Sequence, residues 1–365
     1  SKSPYPKQVK NLTAVGGSGQ VTLSWDALAD ADSVYKVYKH TAAFSITNTY
    51  FVDTTSKVTY TIPGLDNATR YYFRVTAVNK QGYEGTPSTT IDITPSYSGP
   101  VWWVSTNGND SNEGSSGSPL ASISKAVEKV SEGDTIMIKE GTYTGSKNRD
   151  IIFTNASPNI VIKSESGAEK TIIDAGNSGE RNIFGFRSDD GSGPGIDSTF
   201  QIIGLKFTGA TNTAVWVQVG KINRNGADYW PYMRPKFKNC IFFNNRDEDP
   251  HSAGGAVWLD DSEAIFESCV FDSNYASARG GAVYIQSDNG QHTRSHFRNC
   301  TFKNNITHLW DGATDNQGNP QSWDPAGSAI AIYSTATATI VDCIFENNKI
   351  LQESNQHQSA GSGTL

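Results

Sequence analysis

Along most of this chain apolar and polar residues alternate over short stretches, the period-two pattern that puts one face of a β-strand inside and the other outside. Val21-Thr22-Leu23-Ser24-Trp25, Tyr35-Lys36-Val37-Tyr38, Val58-Thr59-Tyr60-Thr61-Ile62 and the run from Tyr71 to Val78 read this way. Gly, Asp or Pro-Gly turns separate them, as in a small antiparallel sandwich. One segment departs from the pattern. Ile123, Ala126, Val127 and Val130 fall at helical spacing and predict an amphipathic helix over residues 122 to 131, with Ser122 as its N-cap.

A longer period is superimposed on the second part of the chain. Phe237-Lys238-Asn239-Cys240-Ile241-Phe242-Phe243-Asn244-Asn245 recurs from Phe266 to Asn274, from Phe297 to Asn305 and from Ile340 to Asn348. All four cysteines occupy the same place in it, at intervals of 29, 31 and 43 residues. A fixed strand joined by loops of variable length is the signature of stacked solenoid coils. Ile202, Leu205 and Phe207 fit the template as an earlier coil without cysteine, and a second strand keeps step at Thr213 to Val217, Gly255 to Leu259, Gly281 to Ile285 and Ser328 to Ile332. The closing Ala360-Gly361-Ser362-Gly363-Thr364-Leu365 matches Ala326-Gly327-Ser328-Ala329-Ile330. The expectation is a solenoid truncated at its C-terminal end, in a processed or excised piece that begins without Met or a signal sequence.

Strand alternation then assigns sides. With aliphatic Val257 and Leu259 inside, Trp258 and Asp260 face out. The same register predicts an outward column Trp216, Trp258, Tyr284 beside a polar column Gln218, Asp260, Gln286, each step about 4.8 Å. Two long loops are placed to wall this face, residues 220 to 236 with Tyr229, Trp230 and Tyr232, and residues 306 to 326 with Trp310 and Trp323. They can instead fold over it as a lid or a subunit contact. The cysteines are expected to stack inward as packed, reduced thiols, with one disulfide between stacked coils as the main exception; a metal site is not expected, because close-set Cys-x-x-Cys pairs are missing. Asn245, Asn274, Asn305 and Asn348 are expected to form a hydrogen-bonded stack at a turn.

Composition narrows the function. The 365 residues carry 30 Lys and Arg against 37 Asp and Glu, net -7, and the sequence shows no dense basic stripe, which excludes a nucleic-acid partner. Residues 1 to 97 are net +2 and the remainder net -9, so the two parts differ in charge as well as pattern. No apolar run approaches the roughly 20 residues that cross a bilayer, so a transmembrane chain is excluded as well.

These residues carry two resemblances. Trp25 and Leu65-Asp66-Asn67-Ala68-Thr69-Arg70-Tyr71 resemble a fibronectin type III domain with its tyrosine corner, which implies that Trp25 and Tyr71 pack in its core. Trp103-Val104-Ser105-Thr106-Asn107-Gly108-Asn109-Asp110, Pro119, Gly133 to Ile138 and Gly141-Thr142-Tyr143 resemble the start of pectate-lyase-like right-handed parallel β-helices, which include polysaccharide lyases. The pairing of Gly-Gly-Ala with Phe-x-x-Asn also resembles repeats of polymorphic outer-membrane proteins. The implied fold class is all-β: a fibronectin-III-like sandwich over residues 1 to 97, then a right-handed parallel β-helix over 98 to 365 whose first coil is covered by an N-terminal capping helix.

Aromatic plates beside hydrogen-bonding groups suit a sugar chain. The expected substrate-binding residues are Trp216, Gln218, Trp258, Asp260, Tyr284, Gln286, Trp230 and Trp310. β-Elimination of a uronate needs neutralisation of its carboxylate and a base. Asp260, Asp261, Arg279 and His251 are the catalytic candidates, with Lys221, Arg224 and Arg234 as further cations. Asp260, Asp261 and Glu263 offer oxygens for calcium, the one cofactor the sequence suggests. Asp247-Glu248-Asp249 reads as a solvated loop.

Three functions stay open. The first is a secreted or cell-surface structural or adhesive protein whose partners are glycans, further domains of a longer chain or other copies of itself. The second is a polysaccharide lyase or hydrolase on an acidic polysaccharide, and the third a non-catalytic glycan-binding module.

Overall fold

The structure is a computed structural model and describes residues 4–28, 34–177, 179, 182–188, 193–224, 227–249, 253–288, 294–309 and 327–352. It divides into two compact units, Ser1–Gly99 and Pro100–Leu365.

The first unit packs an antiparallel three-stranded sheet (Thr13–Gly17, Gln20–Ser24, Thr59–Pro63) against a four-stranded one (Phe51–Thr55, Val34–His40, Tyr71–Val78, Ile91–Ile93). Alternation in Gln20–Ser24 and Tyr71–Val78 sends Val21, Leu23, Phe73 and Val75 inward, all fully buried. Trp25 lies edge-on to Tyr35, ring centroids 5.4 Å apart, and the Tyr71 hydroxyl accepts the Asp66 N–H at 3.1 Å, which closes the expected corner. Three strands escaped the pattern, Thr13–Gly17, Phe51–Thr55 and Ile91–Ile93. Each lies at a sheet edge without a buried residue, so its sequence is under little pressure to alternate.

The second unit is a right-handed parallel β-helix. An eight-stranded sheet stacks Val101–Val104, Thr135–Ile138, Val161–Ser164, Gln201–Ile203, Lys236–Lys238, Ile265–Glu267, Arg294–Arg298 and Thr337–Val341. A seven-stranded sheet stacks Gly141–Tyr143, Thr171–Asp174, Lys206–Thr208, Ile241–Phe243, Val270–Asp272, Thr301–Lys303 and Ile344–Glu346. A six-stranded sheet holds Ile151–Thr154, Phe184–Arg187, Val215–Gln218, Val257–Asp260, Val283–Ser287 and Ile330–Ser334. A short four-stranded sheet begins at Arg246–Asp247. Coils therefore extend back to Val101, well before the first one the repeat revealed.

The repeat template explains its own geometry. Each coil needs two residues of positive φ, and short polar side chains supply them: Asn239, Ser268, Asn299 and Asp342 before the cysteines, and Asn244, Ser273, Asn304 and Asn347 before the ladder asparagines. Phe242, Phe271, Phe302 and Phe345 stack face to face inside at 4.7, 4.6 and 4.9 Å. The amides of Asn245, Asn274 and Asn305 each donate to the next asparagine carbonyl, at 3.0, 3.0 and 2.9 Å. The thiols of Cys240, Cys269 and Cys300 point inward and donate to carbonyls of the preceding coil at 3.5 Å. Burial pushes the Cys269 thiol well up, which keeps it protonated.

The helix is shorter than its spacing predicts, covering Ile123–Val127. Ser122 caps it by accepting the Lys125 N–H. The last turn tightens, with the Lys129 N–H on the Ala126 carbonyl, and the Asp134 carboxylate then takes the Ser131 N–H at 2.9 Å and ends the run. Asp110 anchors the start, accepting from the N–H groups of Ala121 and Ser122 and pairing with Lys147 at 2.8 Å.

In the last described coil the interior is uncovered. Ile332 and Ile340 face inward by register yet are 42 % and 41 % exposed. The coil expected at Ala360 to Leu365 lies outside the described residues.

Candidate functional site

The outer face of the six-stranded sheet carries the predicted columns in the predicted register. One reads Gly185, Trp216, Trp258, Tyr284, Ala331, and the other Arg187, Gln218, Asp260, Gln286, Tyr333. Val215, Val217, Val257 and Leu259 fill the interior behind them.

The polar column is bonded along its length. The Asp260 carboxylate accepts from the Gln218 amide through one oxygen at 2.9 Å and from the Gln286 amide through the other at 2.8 Å. Both amides come from flanking coils in register, so three adjacent coils clamp one carboxylate in place.

The aromatic column is less uniform than the pattern predicts. Trp216 and Trp258 are half-buried, and the Trp216 indole lies where a Cβ on Gly185 would be. Tyr284 shares their outward register but is only 3 % exposed, so it offers no free plate to a ligand. The Arg279 guanidinium covers it, donating to the Tyr284 hydroxyl at 3.2 Å and lying 4.5 Å from the centre of the Tyr333 ring. Burial raises the Tyr284 pKa, and Arg279 opposes that shift.

The three calcium candidates point to separate partners. Asp260 is held by the two glutamines, Asp261 turns the corner at φ 48° with its carboxylate on the Ser287 hydroxyl, and Glu263 pairs with Arg234 at 3.2 Å. Among the described residues no three or more His, Cys, Asp or Glu side chains gather as a metal site.

The remaining candidates divide by position. Trp230 is half-buried between Ala227–Tyr229 and Tyr232–Met233, and Arg234 donates to the exposed Tyr232 hydroxyl at 2.9 Å. Lys221 is exposed. His251, Trp310 and Trp323 lie outside the described residues, as does the side chain of Arg224.

Sequence reasoning missed Arg187 and Gly185, which head the two columns. Phe184-Gly185-Phe186-Arg187 lacks the Gly-Gly-Ala lead of later coils, although its own alternation was a usable signal.

Comparison with known proteins agrees with this architecture. A fibronectin type III model matches residues 5–94, and a model for the Pel9A-like right-handed β-helix region matches residues 102–364. Pectate lyase L of Dickeya dadantii is 30 % identical over 151 residues, 40 % of this chain and 32 % of that protein. The uncharacterised protein YwoF of Bacillus subtilis is 40 % identical over 80 residues, 20 % of this chain and 17 % of that one. An amylopullulanase of Thermoanaerobacter thermohydrosulfuricus is 31 % identical over 99 residues, 27 % of this chain and 6 % of the enzyme. The matched segments thus span a third or less of each relative. From Trp102 to Thr364 the chain belongs to the Pel9A-like right-handed β-helix family, preceded by a fibronectin type III domain.

Proposed function

We propose that this is a secreted or cell-surface protein that contacts polysaccharide, with the outer face of the six-stranded sheet as the contact surface and the fibronectin type III unit as a spacer. The observation that carries it is the Gln218–Asp260–Gln286 clamp beside Trp216 and Trp258. Indole surface suits the C–H face of a pyranose, and the clamped carboxylate suits its hydroxyls. The family match and the similarity to a protein named pectate lyase support a carbohydrate partner.

Contact without turnover is preferred because the catalytic candidates do not converge beside Asp260 among the described residues: Asp261 accepts from Ser287, Glu263 pairs with Arg234, and Arg279 covers Tyr284. An adhesive role follows if such contact fixes the protein to a cell wall or matrix.

A panel of pectins, alginates and glycosaminoglycans tests the reading by affinity electrophoresis. Binding to at least one member, weakened about tenfold by Trp258→Ala, is expected, since burying an aromatic ring contributes about 1.5–3 kcal/mol. Wild-type retention carried over unchanged into Trp258→Ala and Trp216→Ala would remove the surface from consideration. The lyase reading, favoured by the similarity to pectate lyase L, is distinguished by ultraviolet absorbance of unsaturated uronates.

A further inference from the structure

The four thiols of the cysteine ladder are placed to pair, and the register leaves them one way to do so completely. The strands on either side of each cysteine stack in step, through Lys238, Glu267, Arg298 and Val341 before it and Ile241, Val270, Thr301 and Ile344 after it. Cys240, Cys269, Cys300 and Cys343 therefore occupy successive coils at a spacing of ~4.8 Å, inside the Cα separation of about 4.4–6.8 Å that a disulfide spans. Neighbouring rungs already touch: the Cys269 thiol is hydrogen-bonded with those of Cys240 and Cys300, and the Cys300 thiol with that of Cys343. All four are free thiols, the reduced form of the ladder.

We propose that oxidation by a small-molecule disulfide staples the β-helix in pairs of coils, through Cys240–Cys269 and Cys300–Cys343, and leaves the junction between Cys269 and Cys300 unbridged. Four cysteines allow three complete pairings. Joining Cys240 to Cys300, or Cys269 to Cys343, spans two coils, ~9.6 Å, and joining Cys240 to Cys343 spans three, ~14.4 Å, all beyond a disulfide's reach. A single central bridge, Cys269–Cys300, strands the two end thiols. In each bridge the thiolate of one cysteine attacks a sulfur of the small disulfide and expels one small thiolate. The neighbouring thiolate then attacks the mixed disulfide and expels the second. Two electrons and two protons pass per bridge from the protein to the small disulfide, which ends as two thiols. Half-buried Cys343 is the accessible sulfur, so Cys300–Cys343 closes first. Cys240 and Cys269 are fully buried and pair when coils open or as the chain folds. The staples close segments with intervals of 29 and 43 residues, which restricts the unfolded chain. The oxidising setting rests on the secreted or surface location proposed above, whereas the pairing belongs to the chain and is tested in purified protein.

The test exposes the reduced whole chain to oxidised glutathione, both as native protein and during refolding from denaturant. Residual thiols are alkylated and the bridges mapped by peptide mass spectrometry. The expected product is ~4 Da lighter than the reduced chain, one hydrogen lost per cysteine, with Cys240 linked to Cys269 and Cys300 to Cys343. Its denaturant midpoint is expected to fall when the bridges are reduced. In Cys300→Ala the Cys240–Cys269 bridge is expected to form while Cys343 stays open to alkylation. Thermal unfolding checks that this variant is folded, and the wild-type map decides without it. A Cys269–Cys300 bridge as the main product, bonds between molecules, persistent glutathione adducts, thiols that all stay free after refolding, or an oxidised chain with a midpoint no higher than the reduced one overturns the proposal.

Discussion

The Trp216 indole lies across Gly185 of the preceding coil, its register partner, in the space that any larger residue would fill. Glycine is required there by close approach, since a Cβ would lie 2.4 Å from two atoms of the indole ring.

Gly185→Ala therefore sets a methyl group against the ring. The expected cost is about 1–3 kcal/mol, typical of overpacking, measured by denaturant unfolding. Polysaccharide affinity should fall by as much as in Trp216→Ala. A variant as stable as wild type would show that the indole moves aside freely.

Asp260→Ala leaves the amides of Gln218 and Gln286 without their shared acceptor. The loss is expected at about 1.5–3 kcal/mol, the range for hydrogen bonds to a charged group. Asp260→Asn should cost less, because an amide flip lets one neighbour keep an acceptor. Paired melting curves of the two variants distinguish a clamp from a bystander.

Asn274 stands in the middle of the ladder. It donates to the Phe242 and Asn305 carbonyl oxygens and accepts from both the backbone and the side chain of Asn245. Asn274→Ala orphans two fully buried donors, with an expected destabilisation of about 2–6 kcal/mol. Asn348→Ala, at the half-buried last rung, should cost less in the same chemical denaturation series.

Thiol accessibility should follow depth in the stack. Cys240, Cys269 and Cys300 are buried and Cys343 is half-buried. An aromatic disulfide reagent is expected to modify Cys343 first in native protein that has been reduced, and all four thiols after unfolding. Fewer than four in the unfolded chain would reveal a bridge between neighbouring coils.

In the fibronectin unit, Glu84 accepts from Thr76 and Tyr38 at 2.6 Å each and from Lys36 at 2.9 Å. Burial alone would raise its pKa, but these three donors outweigh it and hold the carboxyl below the ordinary range. A carboxylate depressed in the folded state binds fewer protons there than when unfolded. Its stabilisation is fully present above the unfolded value of about 4.3 and is lost as pH falls through the folded one. The stability difference between wild type and Glu84→Gln should therefore shrink on acidification, read from denaturant midpoints of the first unit between neutral pH and pH ~3.

The core of the β-helix was legible because its rungs are chemically uniform. Phe on Phe, Cys on Cys and Asn on Asn leave a repeat that survives loops of different length. Outward positions follow no such rule. The cover that Arg279 places on Tyr284 depends on where a long side chain folds back, which alternation does not encode. Helix length was overread because Val130 satisfied a spacing that a polar turn at Asp134 had already cut short.

Because consecutive ladder positions are interchangeable, a whole coil behaves as a removable cassette. Excising residues 241 to 269 would join Cys240 to Val270, bring Asn274 into the place of Asn245, and seat Tyr284 where Trp258 now adjoins Trp216. The shortened protein would lose one rung of height and keep its winding, so deletions and duplications of this unit offer a direct way to change the reach of the outer face without redesigning the interior.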